Sequence, residues 1–132
     1  MAARARDWLQ QAKRDLEQAR HSEKGGFHEW ACFAAQQGGG KAVKAVLQQY
    51  GATAFGHSVT GLLEALPEAA GGTPDLLDSA RDLDKHYIPA RYPNSHPEGS
   101  PHEFYTAGDS QRALGNCQRI IEFCAGLVAE SR

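Results

Sequence analysis

The chain has 132 residues, of which 41% are apolar and 23% charged, and a formal net charge of −2. That is the length of a single domain over residues 1–132, burying about two-thirds of its unfolded surface, and the composition excludes a collagen-like or largely disordered chain. No stretch approaches the roughly 18 apolar residues of a membrane span, and MAARARDWLQ lacks the apolar run of a secretory signal, so a soluble, cytoplasmic protein is expected.

The charge is unevenly spread. Residues 1–50 carry eight Lys/Arg against five Asp/Glu, whereas residues 51–132 carry six against eleven. Counterion release needs many cations on one surface, so any contact with RNA or nucleotide must be local. Three cysteines cannot close a disulfide framework, and Cys117 and Cys124, seven apart in an apolar helical pattern, are expected to face the core as reduced thiols.

The first helical pattern spans residues 4–22, with Trp8, Ala12, Leu16 and Ala19 on one stripe and Arg6, Lys13, Arg14, Glu17 and Arg20 opposite; Gly25 and Gly26 end it. The second spans residues 27–50 and carries two apolar strips, Trp30, Phe33, Ala34 and Gln37, then Val43, Val46, Leu47 and Tyr50, which predict a central helix contacted from several sides. Its Gly38-Gly39-Gly40 run costs about 1 kcal/mol per residue relative to Ala, unless another backbone approaches or the helix kinks. A phosphate loop is excluded: Ala35 stands where its first glycine belongs, Ala42 replaces the Ser or Thr after Lys41, and no strand precedes.

A short helix over residues 57–66 follows, with Ser58 as its cap and Pro67 after it. Thr73 and Pro74 open another, with Leu76, Leu77, Ala80, Leu83 and Tyr87 on one face. Between Ile88 and Tyr105, Pro89, Pro93, Pro97 and Pro101 recur every four residues and should break helical order into an irregular loop, a length that usually signals function or motion. Thr106 caps the last helix, which carries Leu114, Cys117, Ile120, Ile121, Cys124, Leu127 and Val128. The prediction is an all-α, antiparallel up-and-down bundle of four main helices and one short one, with a Pro-rich loop before the last.

Chemistry is concentrated in that loop. Arg91 and His96 are separated by four residues on a proline-stiffened backbone. Arginine offers a permanently charged fork that matches a phosphodiester, and histidine both takes and gives a proton near neutral pH, so the pair supplies the parts for metal-free RNA cleavage. The alternative is a cap on the preceding helix or an ion pair with Asp82 or Asp84 for Arg91, and a solvated position for His96. His57 either lines the same cleft or is a cap-region or core histidine, and Lys41 with Lys44, near Gln36 and Gln37, either faces solvent or holds phosphate. His21, His28 and His102 lack metal-ligand spacing, so neither a metal nor a cofactor is expected.

Trp8-Leu9-x2-Ala12-x2-Asp15-Leu16, the run Glu29-Trp30-Ala31-Cys32-Phe33-Ala34-Ala35-Gln36-Gln37 leading to Lys41-Ala42-x-Lys44-Ala45, Gly56-His57-Ser58 with Leu62-Leu63, Leu83-Asp84-Lys85-x-Tyr87-Ile88-Pro89-x-Arg91-Tyr92-Pro93, and Tyr105-Thr106 together resemble the HEPN domain over nearly the whole chain. The resemblance implies a helical bundle that pairs as a homodimer, often beside a minimal nucleotidyltransferase in prokaryotic toxin–antitoxin systems. It further implies a metal-independent ribonuclease motif of Arg, four to six residues, then His, which Arg91 and His96 match. On that reading Arg91 and His96 are catalytic, and Lys85, His86, Tyr92, Asn94 and His57 are the candidate nucleotide- or RNA-binding residues. The alternative is a non-catalytic module that binds a nucleotide or a partner protein.

Overall fold

The structure, a computed structural model, describes residues 4–52 and 55–130, so residues 1–3, 53–54 and 131–132 of the expected domain lie outside it. The described residues form five helices, α1 (Ala5–Lys24), α2 (His28–Gln49), α3 (Val59–Glu64), α4 (Pro74–Asp84) and α5 (Ala107–Glu130), and no strand. Short 3-10 turns cover Glu68–Ala70, Pro93–Ser95 and Pro101–Phe104, so the proline-rich stretch is more ordered than an irregular loop. The 22-residue α2 packs against each of the other four helices, as its length and apolar content require.

The helix starts are set by short-range chemistry. The Ser58 hydroxyl accepts from Gly61 N–H at 3.0 Å, and Thr73 Oγ1 accepts from Leu76 N–H at 3.3 Å with Pro74 in the first turn. Thr106 and Asp109 cap reciprocally: Thr106 Oγ1 accepts from Asp109 N–H at 3.2 Å while the Asp109 carboxylate accepts from Thr106 N–H at 2.9 Å.

The core stripes differ in detail from the periodic reading. In α1, Ala5, Leu9, Ala12, Leu16 and Ala19 are buried, while Trp8 is half-buried beneath the Lys44 ammonium, 5.6 Å from its ring. In α2 the buried face is made of small residues, Ala31, Cys32, Ala35, Gly38, Gly39 and Ala42, running on to Val43, Val46 and Leu47. Of the strips expected to be core, Trp30 is 49% exposed and Tyr50 42% exposed; a large ring cannot fit where helices approach closely over Ala and Gly, so Trp30 sits at the edge.

The glycine run forms a close-packed patch inside the domain, and α2 passes through it unbroken. A methyl on Gly38 would lie 3.1 Å from both the Ala12 carbonyl oxygen and Cys117 Sγ, and one on Gly39 would lie 3.0 Å from Leu83 Cδ1. A methyl on Gly40 meets nothing nearer than 3.9 Å. Gly40→Ala is therefore expected to stabilise by about 0.5–1 kcal/mol through helix propensity, whereas Gly38→Ala must push α1 away and lose about 1–3 kcal/mol. Urea midpoints of the two variants check the opposite signs. All three cysteines are free and buried, and burial pushes the Cys32, Cys117 and Cys124 thiols up to about 12, which makes them inert packing groups.

Candidate functional site

After α4 ends, Pro89 forbids further helix and the chain turns tightly. Arg91 N–H and Tyr92 N–H both bond to the Ile88 carbonyl, at 3.0 and 3.2 Å, and buried Ala90 pins the turn to the bundle. From this turn Arg91 folds back on itself: its Nε donates to the Tyr87 carbonyl at 2.9 Å. Its guanidinium carbon lies 4.3 Å from the Phe33 ring, 4.7 Å from Tyr87 and 4.9 Å from Tyr92. Contacts of this kind contribute about 0.5–2 kcal/mol each and hold the fork in one orientation. Arg91 makes no ion pair among the described residues; Asp82 pairs instead with Lys85, and Asp84 serves α3.

His96 returns to the same turn. Its N–H bonds to the Pro93 carbonyl at 3.0 Å, and its Nε2 meets the Pro89 carbonyl at 2.8 Å. The Tyr87 and Pro89 carbonyls belong to residues two apart, whose Cα atoms lie within roughly 7 Å in any chain conformation. Arg91 and His96 are thus both anchored to one short turn.

His57 joins them through Tyr87. The exposed imidazole stacks on the Tyr87 ring with centroids 4.7 Å apart and planes at 19°. Its backbone is fixed by Gln36, 1% exposed in α2, whose Nε2 donates to the His57 carbonyl at 2.6 Å and to Asp84 Oδ1 at 3.3 Å. Asp84 accepts from Val59 N–H at 2.8 Å, Thr60 N–H at 3.0 Å and the Ser58 hydroxyl at 3.1 Å, so one carboxylate ties the start of α3 to the end of α4. The residues themselves offer Asp84 as a partner for Arg91 and Gln36 as a neighbour of Lys41 and Lys44, but not their joint role in tying α3 to α4, whose signal lies in the Gln36-Gln37 and Leu83-Asp84-Lys85 motifs. Phe33 and Tyr87, whose periodicity suggests packing, are the rings that frame Arg91.

The rings form a continuous surface: Trp30 meets Phe33 edge-on at 6.1 Å, and Phe33 lies 6.3 Å from Tyr87. Beyond Trp30, an open groove of about 1000 Å3 between α1 and α2 is lined by Phe27, Trp30, Phe33, His21, Lys24 and Lys41 among others. Lys41 is neutralised by Asp15 at 2.6 Å, and a smaller hollow of about 200 Å3 places Lys41 and Lys44 beside His57.

The other expected site residues are distributed differently. Tyr92 is 47% exposed beside Arg91, and Asn94 is exposed on the 3-10 turn between Arg91 and His96. Lys85 extends to Asp82 at 3.6 Å. His86 turns to Tyr105, its Nδ1 2.9 Å from the hydroxyl. Burial lowers the His86 pKa from its ordinary 6.5. Protonation therefore favours the unfolded chain: its contribution to stability is intact above pH 6.5 and is lost as pH falls below it. The melting temperature is expected to drop over that acid interval, and His86→Gln to flatten the drop, as thermal melts across pH will check. Among the described residues no group of three or more His, Cys, Asp or Glu is placed to hold a metal ion, and no helix is long and apolar enough to cross a membrane.

Fold and site together define a small all-α bundle that displays an arginine–histidine turn beside its central helix. The chain belongs to the HEPN family: the HEPN domain matches residues 5–127. It is similar to TT1696 from Thermus thermophilus, 44% identical with a TM-score of 0.92 over 94% of this chain and 98% of that one. ST0689, an archaeal HEPN homologue, is 41% identical with a TM-score of 0.81 over 94% and 97% of the two chains. An HEPN domain protein from Thermotoga maritima, tm0613, is 38% identical with a TM-score of 0.76 over 93% and 98%. Curated protein sequences give no match.

Proposed function

We propose that this HEPN protein is a metal-independent endoribonuclease, the toxin-like subunit of a cytoplasmic pair whose other member is a minimal nucleotidyltransferase. The observation that carries this reading is the anchoring of Arg91 and His96 to the Tyr87 and Pro89 carbonyls of one turn, with no carboxylate of the described residues on the guanidinium. His96 takes the proton of a 2′-hydroxyl as its oxygen attacks phosphorus, and Arg91 stabilises the charge that develops on the phosphorane oxygens. The P–O5′ bond then breaks, and the leaving oxygen receives the proton, giving a 2′,3′-cyclic phosphate and a 5′-hydroxyl. Tyr92, Asn94 and His57 border the RNA strand, with Lys85 and His86 behind them in the same segment.

A homodimer would bring two such turns together, and exposed Ile88, Tyr92 and Phe104 give that segment the apolar surface a partner covers. The stacked His57–Tyr87 pair beside Arg91 also favours a second reading, a module that binds a nucleotide without cleaving it. The deciding assay is cleavage of single-stranded RNA in chelator-containing buffer by the wild type and by His96→Ala. Cleavage by the wild type alone supports the ribonuclease; no cleavage by either, with heat released on mixing with ATP or GTP, supports the binding module.

A further inference from the structure

We infer that the Pro89 carbonyl and the Phe104 ring fix the His96 imidazole as its Nε2–H tautomer, so that Nδ1 is the atom that exchanges the proton and Phe104 is its positioning residue. The inference rests on the cleavage reading for its catalytic part alone. A carbonyl oxygen only accepts, so the 2.8 Å contact from His96 Nε2 to the Pro89 carbonyl places the hydrogen on Nε2. In the neutral ring the free lone pair is then on Nδ1, which has no hydrogen-bond partner among the described residues.

The ring plane is set by Phe104. The two rings lie parallel within 1°, with centroids 4.5 Å apart. Phe104 is 47% exposed, so its ring spends about half its surface in water while covering the imidazole. Its own position is held by a capping box around the 3-10 turn Pro101–Phe104: Glu103 accepts from Ser100 N–H at 2.7 Å and from the Ser100 hydroxyl at 3.3 Å. These bonds hold the Glu103 carboxyl below its usual range. Gly99 adopts φ +81°, where a side chain is strained, and a methyl there would stand 2.7 Å from Glu103 Oε2 and 3.2 Å from the Phe104 ring, so the turn favours glycine. The proline-rich segment is thereby a two-sided clamp, a carbonyl at one edge of the imidazole and an aromatic face beneath it. During cleavage the 2′-hydroxyl proton passes to Nδ1 and from Nδ1 to the departing 5′-oxygen, leaving Nε2–H bonded throughout.

Long-range 1H–15N correlation spectra of the labelled protein in mildly alkaline buffer read the tautomer directly, whether or not the protein cleaves RNA. The expected result is a protonated Nε2 and an imine-type Nδ1 on His96; a protonated Nδ1, or shifts averaged between the two forms, overturns the assignment. Phe104→Leu is expected to average those shifts and to lower kcat on single-stranded RNA about 10–100-fold with KM unchanged, the cost of a misplaced catalytic group. Phe104→Tyr restores both. Unchanged shifts and kcat in Phe104→Leu remove Phe104 from the role, and if that variant does not fold, failure of Phe104→Tyr to match the wild-type spectrum does so. A wild type that shows the expected tautomer without cleaving RNA refutes the ribonuclease and leaves the tautomer standing.

Discussion

Asp84→Ala is expected to destabilise the domain by about 2–3 kcal/mol, lowering its melting temperature by roughly 10 °C. Two backbone donors at the start of α3, the Ser58 hydroxyl and the Gln36 amide all converge on this carboxylate. Hydrogen bonds to a charged acceptor contribute about 1.5–3 kcal/mol each, but water reaches the exposed edge near Ser58 and replaces part of what is lost. Val59 is fully buried and its N–H, 2.8 Å from the carboxylate, has no such replacement, so the larger share of the loss falls there, whereas Gln36 keeps its bond to the His57 carbonyl. Asp84→Asn keeps one acceptor oxygen, turns an amide toward the remaining donors and is expected to lose about half as much. Urea unfolding with an unchanged m-value measures both variants. A loss below about 0.5 kcal/mol for Asp84→Ala, the range of ordinary surface changes, would show that α3 is held by its apolar contacts alone. Because Gln36 also holds the His57 carbonyl, the same variant should loosen the imidazole stacked on Tyr87.

The elements most legible in the sequence were those governed by near neighbours. Ser58, Thr73 and Thr106 cap their helices because each acceptor and donor lie three residues apart, a distance one sequence window contains. Arg91 and His96 were legible as a pair because prolines shorten the conformations open to the chain between them. What α2 buries was less legible. Apolar periodicity identifies Trp30 and Phe33 as a strip, but it does not tell whether a neighbouring helix is close enough to cover large rings. The neighbours chose the small residues: at Gly38, α1 approaches to 3.1 Å of where a methyl would stand. The partners of Asp84 are 24 to 48 positions away in the chain, and no local pattern distinguishes that carboxylate from Asp82, which pairs locally with Lys85. Phe104 was hidden for the same reason, since its stacking on His96 depends on a turn built by Gly99, Ser100 and Glu103 together.

His96→Ala is expected to lower cleavage of single-stranded RNA about 10²–10⁴-fold, the range general acid–base groups contribute, while the fold persists. Persistence follows from position: His96 lies in a surface turn, and its Phe104 partner is already half in water, so truncation opens no sealed cavity. Arg91→Lys separates charge from shape. The ammonium keeps the charge but loses the fork, the Nε bond to the Tyr87 carbonyl and the fit among Phe33, Tyr87 and Tyr92, so a drop of about 10–100-fold from wild type is expected in kcat rather than KM. If both groups act on one phosphodiester, the double variant should lose little more than His96→Ala alone, because a stabilised phosphorane has no value where no proton leaves the nucleophile. Strictly multiplicative losses would mean that the guanidinium and the imidazole work on separate steps, with Arg91 binding RNA and His96 acting elsewhere. Rates measured in chelator-containing buffer, with circular dichroism confirming helix content, separate these outcomes.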